Sequence, residues 1–406
     1  MTVTIKPAKA KGAATAPPSK SMAHRLLICA GMCEGESLIH GVSYSEDVSA
    51  TIDCLRNFGA LVERVGDGRT VRVCGVDMTK AYPKSVLRCR ESGSTLRFFL
   101  PLALLSGREA VLTGAASLLK RPMIVYKELC DFKDLKYEQK DESITVKGKL
   151  PAGRYTVSGN ISSQFISGML FALPFAEGNS YINITPPIES RPYLDLTLSA
   201  LNSFGLQASW KDDHTLYIPG GQRAVPCECS VEGDFSNSAF LDALNVLGGD
   251  VTVEGLSDES LQGDREYKKM FELLKIGAPA LHIGDCPDLG PVLFALAAAC
   301  NGGVFSGTRR LRLKESDRSF AMTEELKKFG VSSTIHEDSV VIYPADFHAP
   351  TEPLCGHNDH RIVMSLAVLL TKVGGIITGA EAVNKSYPEF FETLRGLGIE
   401  VIESES

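Results

Sequence analysis

The sequence predicts an α/β protein of two similar domains, each with internal pseudo-threefold character. Three observations carry that expectation. A helix ending in Leu-x-x-apolar-Gly recurs, anchored at Leu55, Leu129, Leu201, Leu273, Leu326 and Leu394. A more apolar helix followed by a strand precedes each copy. The copies lie roughly 50 to 75 residues apart, long for a solenoid repeat but suited to a compact supersecondary unit. With 406 residues, 44% of them apolar, the chain can fill two or three hydrophobic cores.

Taken in order, residues 2–6 (TVTIK) alternate as a strand does. The prolines of PPSKSMAHR stop what precedes them, Ser19 or Ser21 can cap the next turn, and LLICAG continues as a helix. That helix and its counterparts in GSTLRFFLPLALLSG, SSQFISGMLFALPF, SNSAFLDALNVLGG, DLGPVLFALAAAC and DHRIVMSLAVLLTKVGG are apolar almost all round, so they should be buried. The Leu-x-x-apolar-Gly helices are more amphipathic and should lie outside them. Their closing glycines are expected to be left-handed caps that turn the chain into the next strand, with Lys133 replacing Gly in one copy. Three units precede about residue 230 and three follow. The expected domains are 20–230, and 1–19 with 231–406 if the first strand pairs into the second half. The segments APPSK and VEGDFSNS would then be the two crossovers, a natural hinge around a cleft.

Composition narrows the function. A net charge of −7 gives no support to a nucleic-acid surface. The longest apolar run, PVLFALAAAC, is too short to cross a bilayer, and no secretion signal opens the chain. Eleven scattered cysteines read as thiols in a reducing cytoplasm. In CGHNDHR, Cys355, His357 and His360 are metal-ligand types at close spacing, but no CxxC or second cluster accompanies them, so no metal is expected. Cys227 and Cys229 are read as strand residues. There is no P-loop, no convincing GxGxxG and no call for a redox cofactor.

The helix starts carry the chemistry. The buried helices open with Lys20, Ser21 and Arg25; with Gly93, Ser94, Thr95 and Arg97; with Ser162, Ser163 and Gln164; with Asp288; and with Asp359, His360 and Arg361. Loops before the outer helices add Arg121, Ser190, Arg191, Lys314, Glu315, Arg318 and Lys385. Helix N-termini already present partial positive charge and unpaired N–H groups, so cations gathered there call for an anionic ligand with several phosphate or carboxylate groups. Any one of these residues is explained as well by capping or by a solvated charge; the recurrence carries the argument. Asp288 and Glu315 stand apart as acids. Glu315 can be an ordinary salt-bridge partner, or the two can divide acid and base work between them.

The motifs PSKSMAHR, SGSTLR, KRP, SGNISSQFISGML, ESRPYLDLT, KESDR, NDHR and NKSYPEFF occur in that order along nearly the whole chain. Together they closely resemble the 5-enolpyruvylshikimate-3-phosphate synthase (3-phosphoshikimate 1-carboxyvinyltransferase) family of enolpyruvyl transferases. The resemblance implies a two-domain inverse α/β barrel, each domain three βαβαββ-type units, with the active site in the inter-domain cleft. It implies transfer of the enolpyruvyl group of phosphoenolpyruvate to the 5-hydroxyl of shikimate 3-phosphate, on the chorismate route, with no cofactor or metal. By motif match, Lys20, Ser21, Arg25, Ser162, Ser163, Gln164, Ser190, Asp288 and Lys314 should meet shikimate 3-phosphate. Lys20, Gly93, Arg121, Gln164, Arg318, Arg361 and Lys385 should meet phosphoenolpyruvate. Asp288 should accept the proton of the attacking hydroxyl and Glu315 should donate to C3, with Lys20 sharing the proton traffic. The resemblance also points to a cytoplasmic monomer without nucleic-acid or membrane partners. The family often has Asn where Glu91 and Arg310 stand, so neither receives a ligand role. Two rivals remain in view. The related transferase acting on UDP-N-acetylglucosamine usually has Cys where Ala116 stands and Asn where Ser21 stands. A non-catalytic sensor of phosphorylated sugars would keep the cations without needing Asp288 and Glu315.

Overall fold

The computed structural model describes residues 1–404. They divide into two compact units, Pro18–Glu232 and Met1–Pro17 with the chain from Gly233 onward. Each has its own hydrophobic core.

The Pro18–Glu232 unit contains α1 (Lys20–Gly31), α2 (Glu46–Phe58), α3 (Gly93–Ala103), the short α4 (Ala116–Leu119), α5 (Ile124–Phe132), α6 (Ser163–Ala172) and α7 (Arg191–Ser203). The other contains α8 (Phe235–Val246), α9 (Tyr267–Ile276), α10 (Gly290–Ala299), α11 (Arg318–Lys327), α12 (His360–Val373) and α13 (Phe390–Gly396). As the composition requires, α1, α3, α6, α8, α10 and α12 are buried nearly all round; every residue of α10 from Gly290 to Ala298 is buried. The helix α2 buries Val48, Ile52, Leu55 and Phe58 and leaves Glu46 and Arg56 exposed.

Short polar side chains fix the helix starts. Ser19 accepts the Met22 amide at 3.3 Å to cap α1, and Ser92 accepts the Thr95 amide at 3.2 Å to cap α3. Of the two serines the sequence left open, Ser19 is the cap. Asp317 caps α11, so that helix opens at Arg318. Asp288 lies in a 3-10 turn, Pro287–Leu289, just ahead of α10. At the other end, Gly59 closes α2 at φ 105°, the left-handed cap expected. Gly277 after α9 does not: it is extended, at φ −178°. Where Lys133 replaces glycine, Lys133 stays right-handed and Asp134 takes the positive φ one residue later.

Five four-stranded sheets repeat one polarity: a parallel pair, then two antiparallel neighbours. In the first unit they are Glu228–Ser230, Glu36–His40, Thr70–Cys74, Leu61–Val65; Leu87–Arg88, Ala110–Thr113, Ser143–Lys147, Lys136–Gln139; and Arg154–Ser158, Ser180–Thr185, Thr215–Ile218, Ser209–Trp210. In the second they are Ala280–His282, Gly303–Ser306, Ser339–Ile342, Ser333–Ile335; and Leu354–Cys355, Gly375–Thr378, Thr2–Ile5, Val401–Ser404. The N-terminal strand therefore belongs to the C-terminal half, with Val3 opposite Ile377 and Glu403. The sixth sheet is a parallel pair, Lys11–Thr15 with Asp250–Glu254. No helix among the described residues is long and apolar enough to cross a membrane.

Candidate active site

The Pro18–Glu232 unit presents its candidates at the starts of α1, α3, α6 and α7 and in the segment between α4 and α5. Lys20 opens α1, with Nζ 2.9 Å from Asp47 Oδ2 on α2. Arg25 is buried. Its Nη1 donates to the Ser21 carbonyl at 2.7 Å, while Nε and Nη2 reach Thr197 Oγ1 at 2.9 Å and the Tyr193 carbonyl at 3.0 Å. Burial lowers its pKa to about 10. Arg25 thus braces α1 against α7. Next to Arg25 in sequence, His24 bonds Thr51 Oγ1 at 2.8 Å, which continues to Thr95 at 2.8 Å and Ser92 at 2.7 Å. Burial, reinforced by Lys20 and Arg25, keeps His24 well below its ordinary pKa.

Gly93, Arg97, Arg121 and Gln164 converge. A Cβ on Gly93 would lie 3.0 Å from Arg97 Nη1, 3.1 Å from Arg121 Nη1 and 3.6 Å from Gln164 Oε1. Arg97 donates to Gln164 Oε1 at 2.6 Å, and Gln164 Nε2 donates to Ser94 Oγ at 2.9 Å. Arg121 is buried, and its Nε and Nη2 have no hydrogen-bond partner among the described residues. Those two nitrogens form the side-on fork of a guanidinium, the edge that fits a carboxylate or phosphate. Buried donors left without a partner are uncommon and call for an explanation. Ser162 caps α6 through the Gln164 amide at 3.4 Å, and Ser163 is its first residue. Ser190 is buried and left-handed, φ 59°, immediately before α7.

The other unit assembles a denser cluster. Arg318, 1% exposed, is held by three carboxylates: Asp359 Oδ2 at 2.8 Å, Asp288 Oδ1 at 2.8 Å and Glu315 Oε2 at 2.6 Å. Asp288 also meets Lys314 Nζ at 3.1 Å and Arg361 Nη2 at 3.1 Å. Arg361 Nη1 donates to Ser236 Oγ at 2.6 Å. Asp359 caps α12 by accepting the Arg361 amide at 3.0 Å and takes a hydrogen bond from Ser316 Oγ at 3.0 Å. Lys385, also buried, donates to the Asn358 carbonyl at 2.7 Å. Burial alone would raise the Asp288 pKa, but Arg361, Lys314 and Arg318 outweigh it and hold the carboxyl well below its usual range. Burial lowers the Lys314 pKa against the pull of Asp288, with Arg318 and Arg310 adding to the depression. Arg318 is pushed up by Asp359, Glu315 and Asp288 in spite of its burial.

This changes one expectation. The cations at these helix starts were read as lacking a counter-charge; here Lys314, Arg318 and Arg361 face Asp288, Glu315 and Asp359. Glu315 and Asp359 come from the same segments as the cations and Asp288 from the turn before α10, so these three acids balance Lys314, Arg318 and Arg361. Asp47, the partner of Lys20, was missed, and so was the role of Asp359 as a ligand of Arg318. Neither pairing has a sequence signal, since the partners lie 27 and 41 residues apart. Among the described residues, no group of three or more His, Cys, Asp or Glu side chains is placed to hold a metal ion.

The two α/β units form the fold of solved enolpyruvyl-transferase structures. The enolpyruvyl transferase NikO from Streptomyces tendae shares it, with TM-score 0.79 over the whole of this chain and 99% of that one at 14% identity. An EPSP synthase structure from Acinetobacter baumannii aligns at TM-score 0.79 and 26% identity, covering 99% of this chain and 100% of that one. The family profile described as EPSP synthase (3-phosphoshikimate 1-carboxyvinyltransferase) matches residues 5–279 and 274–394. Relatives named 3-phosphoshikimate 1-carboxyvinyltransferase from Clostridium kluyveri and Clostridium acetobutylicum are 39% and 38% identical, each covering 99% of this chain and 98% of the relative. The chain belongs to the EPSP synthase family.

Proposed function

We propose that this protein transfers the enolpyruvyl group of phosphoenolpyruvate to the 5-hydroxyl of shikimate 3-phosphate, releasing phosphate, on the shikimate route to aromatic amino acids. Family membership supports the reaction. Within this chain, the side-on fork of Arg121 beside Gly93 supports it best. Lys20, Gly93, Arg121, Gln164, Arg318, Arg361 and Lys385 hold phosphoenolpyruvate. Lys20, Ser21, Arg25, Ser162, Ser163, Gln164, Ser190, Asp288 and Lys314 hold shikimate 3-phosphate.

The charge network sets the chemistry. Clamped by three cations, Asp288 is a weak base. When anionic substrates take over Arg318, Arg361 and Lys314, Asp288 loses that stabilisation and becomes basic enough to accept the proton of the attacking hydroxyl. Glu315, released from Arg318, takes up a proton and delivers it to C3 as the hydroxyl oxygen bonds to C2. The tetrahedral adduct then loses a proton from C3 and the C2–O bond to phosphate breaks. Lys20 shares the proton traffic, and the arginines stabilise charge on the departing phosphate. The chain works as a cytoplasmic monomer; its cysteines, all free thiols, suit a reducing compartment.

Phosphate release from phosphoenolpyruvate tests the reading with each acceptor in turn. Release is expected with shikimate 3-phosphate and not with UDP-N-acetylglucosamine. Turnover with the uridine sugar alone overturns the assignment, and binding without any turnover favours the sensor.

A further inference from the structure

The Cys355-Gly-His357-Asn358-Asp359 turn stands directly before α12 and carries residues that no step above uses. His357 and Asn358 are consecutive non-glycine residues in the left-handed region, at φ 50° and 52°. Such a pair persists only where its surroundings hold it. The holder is Glu325, 2% exposed, on α11. One carboxylate oxygen accepts His357 Nε2–H at 2.9 Å, and the other accepts the Cys355 amide at 2.9 Å and Lys328 Nζ at 3.0 Å. Burial would raise the Glu325 pKa; His357, the Cys355 amide and Lys328 outweigh it, so the carboxylate stays ionised.

Two turns of α11 separate Glu325 from Arg318, which places both on one face of that helix. Arg318 grips Asp359 at 2.8 Å while Glu325 grips Cys355 and His357. The same turn directs the Asn358 carbonyl to Lys385 Nζ at 2.7 Å and lets Asp359 cap α12 at the Arg361 amide, 3.0 Å. Through one turn, Glu325 therefore reaches the setting of three cations assigned to phosphoenolpyruvate, without touching any of them.

We propose that Glu325, acting through His357 and the Cys355 amide, is a positioning residue that sets the 355–359 turn and thereby aligns Lys385, Arg361 and Arg318 for phosphoenolpyruvate. The inference rests on the phosphoenolpyruvate site proposed above. It also gives the Cys355/His357 pattern a job that involves no metal: His357 is the handle by which α11 holds the turn.

Steady-state kinetics on the full chain separate positioning from bulk stability. Glu325→Ala is expected to raise the KM for phosphoenolpyruvate about tenfold or more while the KM for shikimate 3-phosphate moves less than about twofold. Glu325→Gln keeps an acceptor for the Cys355 amide and should recover most of the loss. If Glu325→Ala fails to fold, His357→Gln is the second probe, with a several-fold rise confined to phosphoenolpyruvate. Unchanged KM values, or both rising together with a lowered melting midpoint, overturn the proposal. Lys385→Ala is the control. If it raises the KM for phosphoenolpyruvate and Glu325→Ala does not, only the positioning role fails. If Lys385→Ala leaves that KM unchanged, the site reading fails and this proposal with it.

Discussion

The two units solve the same problem, holding a cation at a buried helix start, in opposite ways. In Pro18–Glu232 the partners are mostly neutral: Arg97 meets the Gln164 amide, Arg25 meets Thr197 and two carbonyls, and the side-on fork of Arg121 has no partner among the described residues. In the other unit Arg318 faces three carboxylates and Asp288 faces three cations. The first arrangement is preorganised for an anion, since nothing must be displaced for Arg121 to accept one. The second is a closed electrostatic circuit in which an anion must replace a carboxylate. In the mechanism proposed above, that replacement would couple substrate binding to the basicity of Asp288 and to the release of Glu315.

The largest effect should come from Glu315, the proposed proton donor. Glu315→Gln is expected to lower turnover about 10²- to 10⁴-fold, the usual range for a general acid, while shikimate 3-phosphate still binds. Unchanged turnover would remove Glu315 from the mechanism and reduce it to a ligand of Arg318. Next comes the preorganised unit: Arg121→Ala should raise the KM for phosphoenolpyruvate about ten- to a hundredfold, the worth of a hydrogen bond to a charged group. A smaller change than Glu325→Ala produces would shift the weight of anion binding to the circuit.

Acid stability distinguishes the units by a different readout. The Asp288 pKa is depressed in the folded state, so its stabilisation is fully present above the unfolded carboxyl value and lost as pH falls through the native one. Glu325 acts with the same sign. Denaturant midpoints followed from neutral pH downward should therefore fall through and below the ordinary carboxylate range, and Asp288→Asn should flatten that slope. An equally steep slope in the variant would place the acid sensitivity elsewhere. A smaller effect is expected of Gly93→Ala. Its new Cβ presses at 3.0 and 3.1 Å on the ends of Arg97 and Arg121, which are flexible tips, so a rise of roughly a few-fold in the KM for phosphoenolpyruvate should come without loss of fold. Chelation should do nothing, because side chains fill every charge-stabilising and proton-transfer role assigned here. A loss of turnover restored by zinc would reopen the Cys355/His357 turn.

Most of the architecture was legible because it repeats. Six apolar helices and the glycine-closed helices beside them register in composition alone, and the alternation of residues 2–6 placed the first strand correctly. The sites that escaped have local physical causes. Gly277 leaves α9 extended, and the next residue, Ala278, precedes Pro279 and is itself held to extended geometry. At Lys133 the left-handed turn moves to Asp134, since an acidic side chain tolerates that conformation better than lysine does. In the candidate site, the residue types at helix starts were readable, but their partners were not. Asp47 for Lys20, and Asp288, Glu315 and Asp359 for Arg318, are decided by which helices pack together. Glu325 carries no local signal, because its partners Cys355 and His357 lie 30 and 32 residues away.

Whether cations of the two units serve one ligand is best tested by a double-mutant cycle between Arg121 and Lys385. Arg121→Ala, Lys385→Ala and the double variant are compared through the KM for phosphoenolpyruvate. Each single change should weaken phosphoenolpyruvate alone, and the pair should depart from additivity, as groups sharing one small anion do. A KM that responds to Arg121 and ignores Lys385 would mean two separate sites and contradict the account.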